Sequence, residues 1–96
     1  MLNDNISYEK MCKMLFENNA QLIDVRSEFE FSQGALPDAI NIPLQFIANA
    51  ENLISDKTPI ILYCVTGHRS SIAKKYLNQM GYDNVYDLGS YKNYCL

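Results

Sequence analysis

The sequence predicts a small α/β domain with a mainly parallel central sheet flanked by helices. Short apolar stretches alternate with amphipathic helical stretches along the chain, which is the pattern of strands joined by crossover helices. The most apolar stretch, Ile60–Cys64, runs into a short loop and then a helix. The 96 residues are enough for one hydrophobic core, so we expect a single domain over residues 1–96.

The first half of the chain predicts two helices and up to three short strands. Ser7 can cap a helix over Tyr8–Glu17, whose apolar residues recur at helical spacing. Ser27 and Glu30 have the spacing of a capping box for a second helix, over Glu28–Gln33. The other expected features are a strand at Leu22–Val25, a strand at Ala39–Ile42, a helix end at Asn18-Asn19 and an edge strand within Asn3–Ile6.

The second half continues the alternation. Pro43 can open a helix whose apolar side would comprise Leu44, Phe46, Ile47, Leu53 and Ile54. After the strand at Ile60, a helix runs to Met80, and Gly81 is placed as its C-terminal cap. A last short strand is expected over Asn84–Leu88.

Asp24 interrupts an otherwise apolar stretch. Burying a charge is costly unless it is paired, so Asp24 either ends its strand or has a fixed partner. Arg26, two residues later, points to the same side of an extended chain as Asp24. The two residues can form a structural ion pair or can support a functional site, and the sequence leaves both readings open.

Cys64 carries the sharpest chemical prediction. It lies between the end of a buried strand and the start of a helix, where backbone N–H groups and the helix dipole stabilise an anion. We therefore expect a lowered pKa and a thiolate that acts as a nucleophile. The loop that would wrap its amide groups around the sulfur contains no proline and consists of Val65, Thr66, Gly67, His68, Arg69 and Ser70.

The loop residues have further expected roles. His68 lies at the rim, Arg69 either steers an anionic substrate or braces the loop, and Ser70 or Ser71 can cap the helix. Elsewhere, Cys12 is expected to be a buried core residue. Cys95 is expected to be exposed, and it could act as a resolving thiol if the tail folds back.

Composition argues against several classes of protein. The net charge of −3 disfavours nucleic-acid binding, and no apolar run approaches the roughly 20 residues that span a bilayer. The start of the chain lacks the features of a secretion signal, so we expect a cytoplasmic protein. Three irregularly spaced cysteines and one histidine predict neither a disulfide framework nor a metal site.

Three blocks of the sequence resemble the rhodanese superfamily, specifically its bacterial single-domain sulfurtransferases. Leu22–Arg26 is similar to the family's strand ending in Asp-Val-Arg, and Glu30–Pro43 is similar to Glu-Tyr-x-x-Gly-His-Ile-Pro-Gly-Ala-x-Asn-Ile-Pro. Tyr63–Ser70 resembles the active loop, Cys-x-x-Gly-x-Arg-Ser. The departures are Ala35 for the usual histidine, Asp38 for the usual glycine, and Gly89-Ser90 for the usual Gly-Gly.

The resemblance implies a three-layer rhodanese-like domain and a sulfurtransferase. Cys64 would take a sulfane sulfur from a donor such as thiosulfate, hold it as a persulfide and pass it to cyanide or a thiol. Asp24 and Arg26 would support the loop, with Arg26 pairing with Glu30. The resemblance implies no cofactor, and we expect a monomer that uses small-molecule substrates or a sulfur-trafficking protein.

Two alternatives remain. A cysteine phosphatase also holds an anion at a helix N-terminus, but its loop needs an arginine one position beyond Arg69, where Ser70 stands. The shorter loop makes a ring better suited to one sulfur than to a phosphate. The second alternative is a non-catalytic binding or regulatory module on the same fold, because fold alone does not establish function.

Overall fold

The computed structural model describes residues 6–17 and 20–95. The described residues form α1 (Tyr8–Glu17), β1 (Gln21–Asp24), α2 (Glu28–Ser32), β2 (Ile40–Asn41), β3 (Ile60–Cys64), α3 (His68–Gln79) and β4 (Val85–Ser90). Two 3₁₀ helices, at Leu44–Asn49 and Tyr91–Asn93, connect or follow these elements.

The four strands form one parallel sheet in the order β2-β1-β3-β4. β3 is a central strand, and all five of its residues are buried. Because the strands are parallel, their carboxyl ends lie at the same edge of the sheet. Asp24, Asn41, Cys64 and Ser90 are the last residues of the four strands, and ligands bind at this edge in open α/β sheets.

The sheet is covered on both faces. Ile60, Leu62 and Cys64 of β3 face a core built with α3 and the 3₁₀ helix at Leu44–Asn49. Ile61 and Tyr63 face a second core built with α1. The alternation follows from the two-residue period of a strand, and it confirms the expected α/β architecture of three layers.

The segment after Pro43 differs from the expectation of an α-helix. It is a 3₁₀ helix with three residues per turn, so Ile47 and Ala50 share its buried side. Phe46 and Leu53, which a 3.6-residue period places on the apolar side, are 51% and 63% exposed. The apolar pattern was too short to distinguish the two periods.

α1 and β3 have the expected bounds, and those of the other helices and strands differ by one or two residues. α1 buries Met11, Cys12 and Met14, whereas Tyr8 and Phe16, which the helical spacing places on its apolar face, are exposed. The expected edge strand falls largely, and the helix end at Asn18-Asn19 falls wholly, outside the described residues. None of the helices in the described part of the chain has the length and apolar character needed to cross a membrane.

Candidate active site

Cys64 ends β3, and α3 begins at His68 after a turn of three residues. Gly67 is the N-cap of α3 and has a φ of 98°, in the left-handed region that glycine adopts readily. Ser70 and Ser71 do not cap the helix, contrary to the sequence prediction. They lie inside its first turn, and their hydroxyls donate back to the carbonyl oxygens of Gly67 and His68.

The Cys64 sulfur makes two hydrogen bonds. The Gly67 N–H donates to Sγ at 3.0 Å, and the neutral Cys64 thiol donates to Ser70 Oγ at 3.6 Å. Burial by itself raises the pKa of the Cys64 thiol, but the Ser70 side chain and the N–H groups of Ser70, Gly67 and Arg69 outweigh it, so the pKa is lowered. The direction of this shift agrees with the sequence prediction.

The amides of the loop do not all point at the sulfur. The His68 N–H donates to Thr66 Oγ1 at 3.4 Å instead. Thr66 and His68 are exposed at the rim, and Val65 is half-buried. The cradle around Sγ is therefore built by the end of the loop and the first turn of α3.

Arg69 braces the loop against α2. Its Nη1 and Nη2 donate to the two carboxylate oxygens of Glu30 at 2.7 and 3.0 Å. These bonds, with the Ser27 N–H, lower the pKa of Glu30 to about 2. The expected pairing of Arg26 with Glu30 is therefore wrong, because Glu30 is held by Arg69 and by its capping box with Ser27.

Arg26 pairs with Asp24 instead. Its Nε lies 3.0 Å from both carboxylate oxygens, and its Nη2 lies 2.7 Å from Oδ2. The same Nη2 donates to the Gly34 carbonyl oxygen at 2.7 Å, just beyond α2. Asp24 is both the last residue of β1 and fully buried, and with Arg26 it forms the structural ion pair that was one of the two readings left open by the sequence.

Tyr63 completes this network and was missed by sequence reasoning. Its hydroxyl donates to Asp24 Oδ2 at 2.8 Å and accepts from the Leu36 N–H at 3.0 Å. Burial raises the pKa of Tyr63 to about 12, so the hydroxyl keeps its proton. The available signal was a tyrosine in a buried aliphatic strand, because a buried phenol normally has a hydrogen-bond partner.

A cavity of about 340 Å³ opens beside the Arg69–Glu30 pair. Its lining comprises Arg26, Glu30, Gln33, Gly34, Ala35, Leu36 and Tyr91. Ala35 stands where the rhodanese pattern usually has a histidine, and it contributes only a methyl group to this lining.

Asp38 stands where the same pattern usually has a glycine. Its φ is 63°, a conformation that aspartate tolerates better than most residues, so the turn can form with aspartate at this position.

The two other cysteines lie together. The Cys95 N–H donates to Cys12 Sγ at 2.9 Å, so the tail does fold back. Cys12 lies on α1, whereas Cys64 belongs to the core on the α3 side of the sheet. The structure thus brings Cys95 to Cys12. Cys12 is buried as expected, whereas Cys95, expected to be exposed, is half-buried because it packs against α1.

A parallel α/β domain with a cysteine in an amide-lined loop at the sheet's carboxyl edge defines a small class of proteins. Residues 7–96 match the family model of the rhodanese-like domain. The chain belongs to this family.

Individual proteins agree with the family model. A sulfurtransferase of Allochromatium vinosum is 32% identical over 88 residues, covering 92% of this chain and 82% of that protein. A rhodanese from E. coli, solved with anions, is 32% identical with a TM-score of 0.72, covering 80% of this chain and 93% of that one.

The human single-domain sulfurtransferase TSTD1 has a TM-score of 0.82 at 23% identity, covering 92% of this chain and 91% of that one. This likeness confirms the fold. The curated relatives broadly support a sulfurtransferase activity.

Proposed function

We propose that the protein is a sulfurtransferase in which Cys64 carries a sulfane sulfur as a persulfide. The observation that carries the proposal is a buried thiol of lowered pKa that accepts a hydrogen bond from the Gly67 N–H and lies 3.6 Å from Ser70 Oγ. A thiolate held by such donors is a nucleophile without a general base. Membership of the rhodanese-like family supports the same reading.

The proposed reaction has two steps. The Cys64 thiolate attacks the outer sulfur of a donor such as thiosulfate, the donor's S–S bond breaks, and sulfite leaves with the electron pair. Cyanide or a thiol then attacks the terminal sulfur of the persulfide, and Cys64 leaves as the thiolate. The N–H groups at the start of α3 are proposed to stabilise the negative charge both on the thiolate and on the terminal sulfur of the persulfide, and fixed dipoles of this kind stabilise charge without reorganising.

The loop Val65, Thr66, Gly67, His68, Arg69 and Ser70 is proposed to bind the anion. Asp24 and Arg26 hold the end of β1, and Glu30 holds Arg69, so these three residues support the loop without touching the sulfur. The proposed mechanism uses no cofactor. Small-molecule donors and acceptors, or a sulfur-trafficking protein, are the proposed partners of a monomer.

The phosphatase alternative needs a guanidinium group turned toward the anion in the loop. The Arg69 guanidinium instead forms two hydrogen bonds with Glu30, on the α2 side. The alternative of a binding module does not account for the donors gathered around Cys64. Both observations favour sulfur transfer.

The test is mass spectrometry of the intact protein after incubation with thiosulfate. We expect a gain of one sulfur atom, which cyanide removes and which Cys64→Ser abolishes. Cys12→Ser is the matched control and should still gain the sulfur. Hydrolysis of an aryl phosphate without sulfur transfer, or full transfer by Cys64→Ser, would overturn the proposal.

A further inference from the structure

Cys12 and Cys95 form a second thiol site, separate from Cys64. The Cys95 N–H lies 2.9 Å from Cys12 Sγ, and Cys95 Sγ lies 3.8 Å from the carbonyl oxygen of Tyr8, one turn before Cys12 on α1. Cys12 is only 2% exposed, whereas Cys95 is partly open to solvent. The pair therefore combines a buried thiol with an accessible one.

We propose that this pair is a redox site, which low-molecular-weight disulfides oxidise to an intramolecular disulfide. The Cys95 thiol loses its proton to solvent, and its sulfur attacks the disulfide RSSR, releasing RS⁻ and leaving Cys95–S–S–R. The Cys12 thiol then loses its proton, and its sulfur attacks the Cys95 sulfur. The second RS⁻ leaves, and the Cys12–Cys95 bond forms. Both cysteines are oxidised, and RSSR is reduced to two thiols.

The accessibility of the two thiols sets this order. Of these two cysteines, Cys12 is buried and Cys95 is only half-buried, so Cys95 makes the mixed disulfide. Burial raises the pKa of Cys12 to about 11, which makes Cys12 a poor target for reagents in solution. Its contact with Cys95 nevertheless places it beside the mixed disulfide, where the reaction is intramolecular.

The disulfide would fasten a segment that borders the candidate active site. Ser90 is paired in register with Cys64, and the next residue, Tyr91, lies with its ring 5.9 Å from the Arg26 guanidinium. Residues 91–93 form a single 3₁₀ turn, and Cys95 follows two residues later. A bond from Cys95 to α1 would thus hold this turn against the body of the domain.

The test is a digest of the wild-type protein with trypsin, without reduction, after treatment with oxidised glutathione. Cleavage after Lys10, Lys13 and Lys92 gives peptides 11–13 and 93–96, and Cys64 falls in peptide 58–69. We expect peptide 11–13 to be linked to peptide 93–96, and the link to disappear on reduction.

Two variants separate the steps. Cys12→Ser should keep one glutathionyl group on Cys95, because the resolving thiol is gone, and Cys95→Ser should leave Cys12 unmodified. The proposal is overturned if wild-type Cys95 retains glutathione, or if peptide 93–96 is linked to peptide 58–69. The wild-type digest decides the question even if a variant folds poorly.

Discussion

The Ser70 hydroxyl contacts both the Cys64 sulfur and the backbone of the turn between β3 and α3. It is fully buried, with Oγ 3.6 Å from Cys64 Sγ and 3.2 Å from the Gly67 carbonyl oxygen. When Cys64 is a thiolate, the Ser70 hydroxyl can turn to donate to Sγ, and a hydrogen bond to a charged group contributes about 1.5–3 kcal/mol, so Ser70→Ala should raise the pKa of Cys64 by about one to two units. At a pH below the pKa of Cys64 in both proteins, the thiolate fraction, and with it the alkylation rate, should fall about tenfold or more.

The measurement is the rate of iodoacetamide alkylation of Cys64 as a function of pH. Ser71→Ala is the matched control, because the Ser71 hydroxyl donates to the His68 carbonyl oxygen and not to Sγ. If the midpoint of the pH dependence of alkylation is unchanged in Ser70→Ala, the backbone N–H groups alone stabilise the thiolate.

Single residues also show where sequence reasoning reached its limit. The pairing of Asp24 was predictable, because a buried charge needs a partner and Arg26 was two residues away. The partner of Glu30 was not predictable, because Arg69 is 39 residues away in the chain and meets Glu30 only in the folded protein. Tyr63 was overlooked, although its buried hydroxyl required a partner as much as Asp24 did.

At the scale of elements, the turn between β3 and α3 depends on the backbone of Gly67. An added Cβ would lie 3.5 Å from Gly89 Cα, which is ordinary contact, so the cost of Gly67→Ala comes from its φ of 98°. A left-handed residue other than glycine costs about 1–2 kcal/mol. We expect Gly67→Ala to lower the free energy of unfolding by that amount and to raise the pKa of Cys64, as the turn relaxes and its N–H leaves Sγ.

Gly81→Ala is the matched control, measured by urea unfolding and by alkylation against pH. Gly81 has a φ of 104° with open space around its Cα, and it follows the far end of α3. It should lose similar stability while the pKa of Cys64 stays unchanged. Equal pKa changes in the two variants would mean that the loop responds to general loosening of α3.

The elements themselves were predictable where the apolar pattern was long, as in β3 and α3. The 3₁₀ helix after Pro43 was not, because a few apolar residues fit periods of 3.0 and 3.6 equally well. The C-terminal end of β4 was also not predictable from the sequence. A register shift at Leu62/Tyr63 lets Gly89 and Ser90 continue the pairing with β3, and such irregularities depend on the neighbouring strand.

At the scale of the whole molecule, the fold class was predictable from the sequence, but the order of the strands in the sheet was not. The alternation of strands and helices predicts a parallel sheet, and the wholly apolar β3 predicts a central strand. The order β2-β1-β3-β4 is set by which crossovers pack best, and no single stretch of sequence specifies it. The packing of the C-terminal segment against α1 was likewise not predictable, because Cys12 and Cys95 are 83 residues apart in the chain.

The Arg69–Glu30 pair connects the loop after Cys64 to α2, and its contribution to global stability should depend on pH because Glu30 titrates in acid. Arg69, together with the N–H and hydroxyl of Ser27, lowers the pKa of Glu30 from 4.5 to about 2. Because the folded pKa lies below the unfolded one, the stabilisation is present above pH 4.5 and is lost as the pH falls toward 2. Both side chains are about one-third exposed, and solvent screening limits the contribution to about 1 kcal/mol.

We therefore expect Glu30→Gln to be about 1 kcal/mol less stable than the wild type at neutral pH, and the difference to vanish between about pH 5 and 2. Gln preserves the capping box, so the variant removes the charge and leaves the helix start intact. Glu28→Gln, in the same first turn, controls for the change in net charge. The measurement is urea unfolding across this pH range. A deficit that persists at the acid end would assign the effect to lost packing, and the ion pair would then contribute nothing.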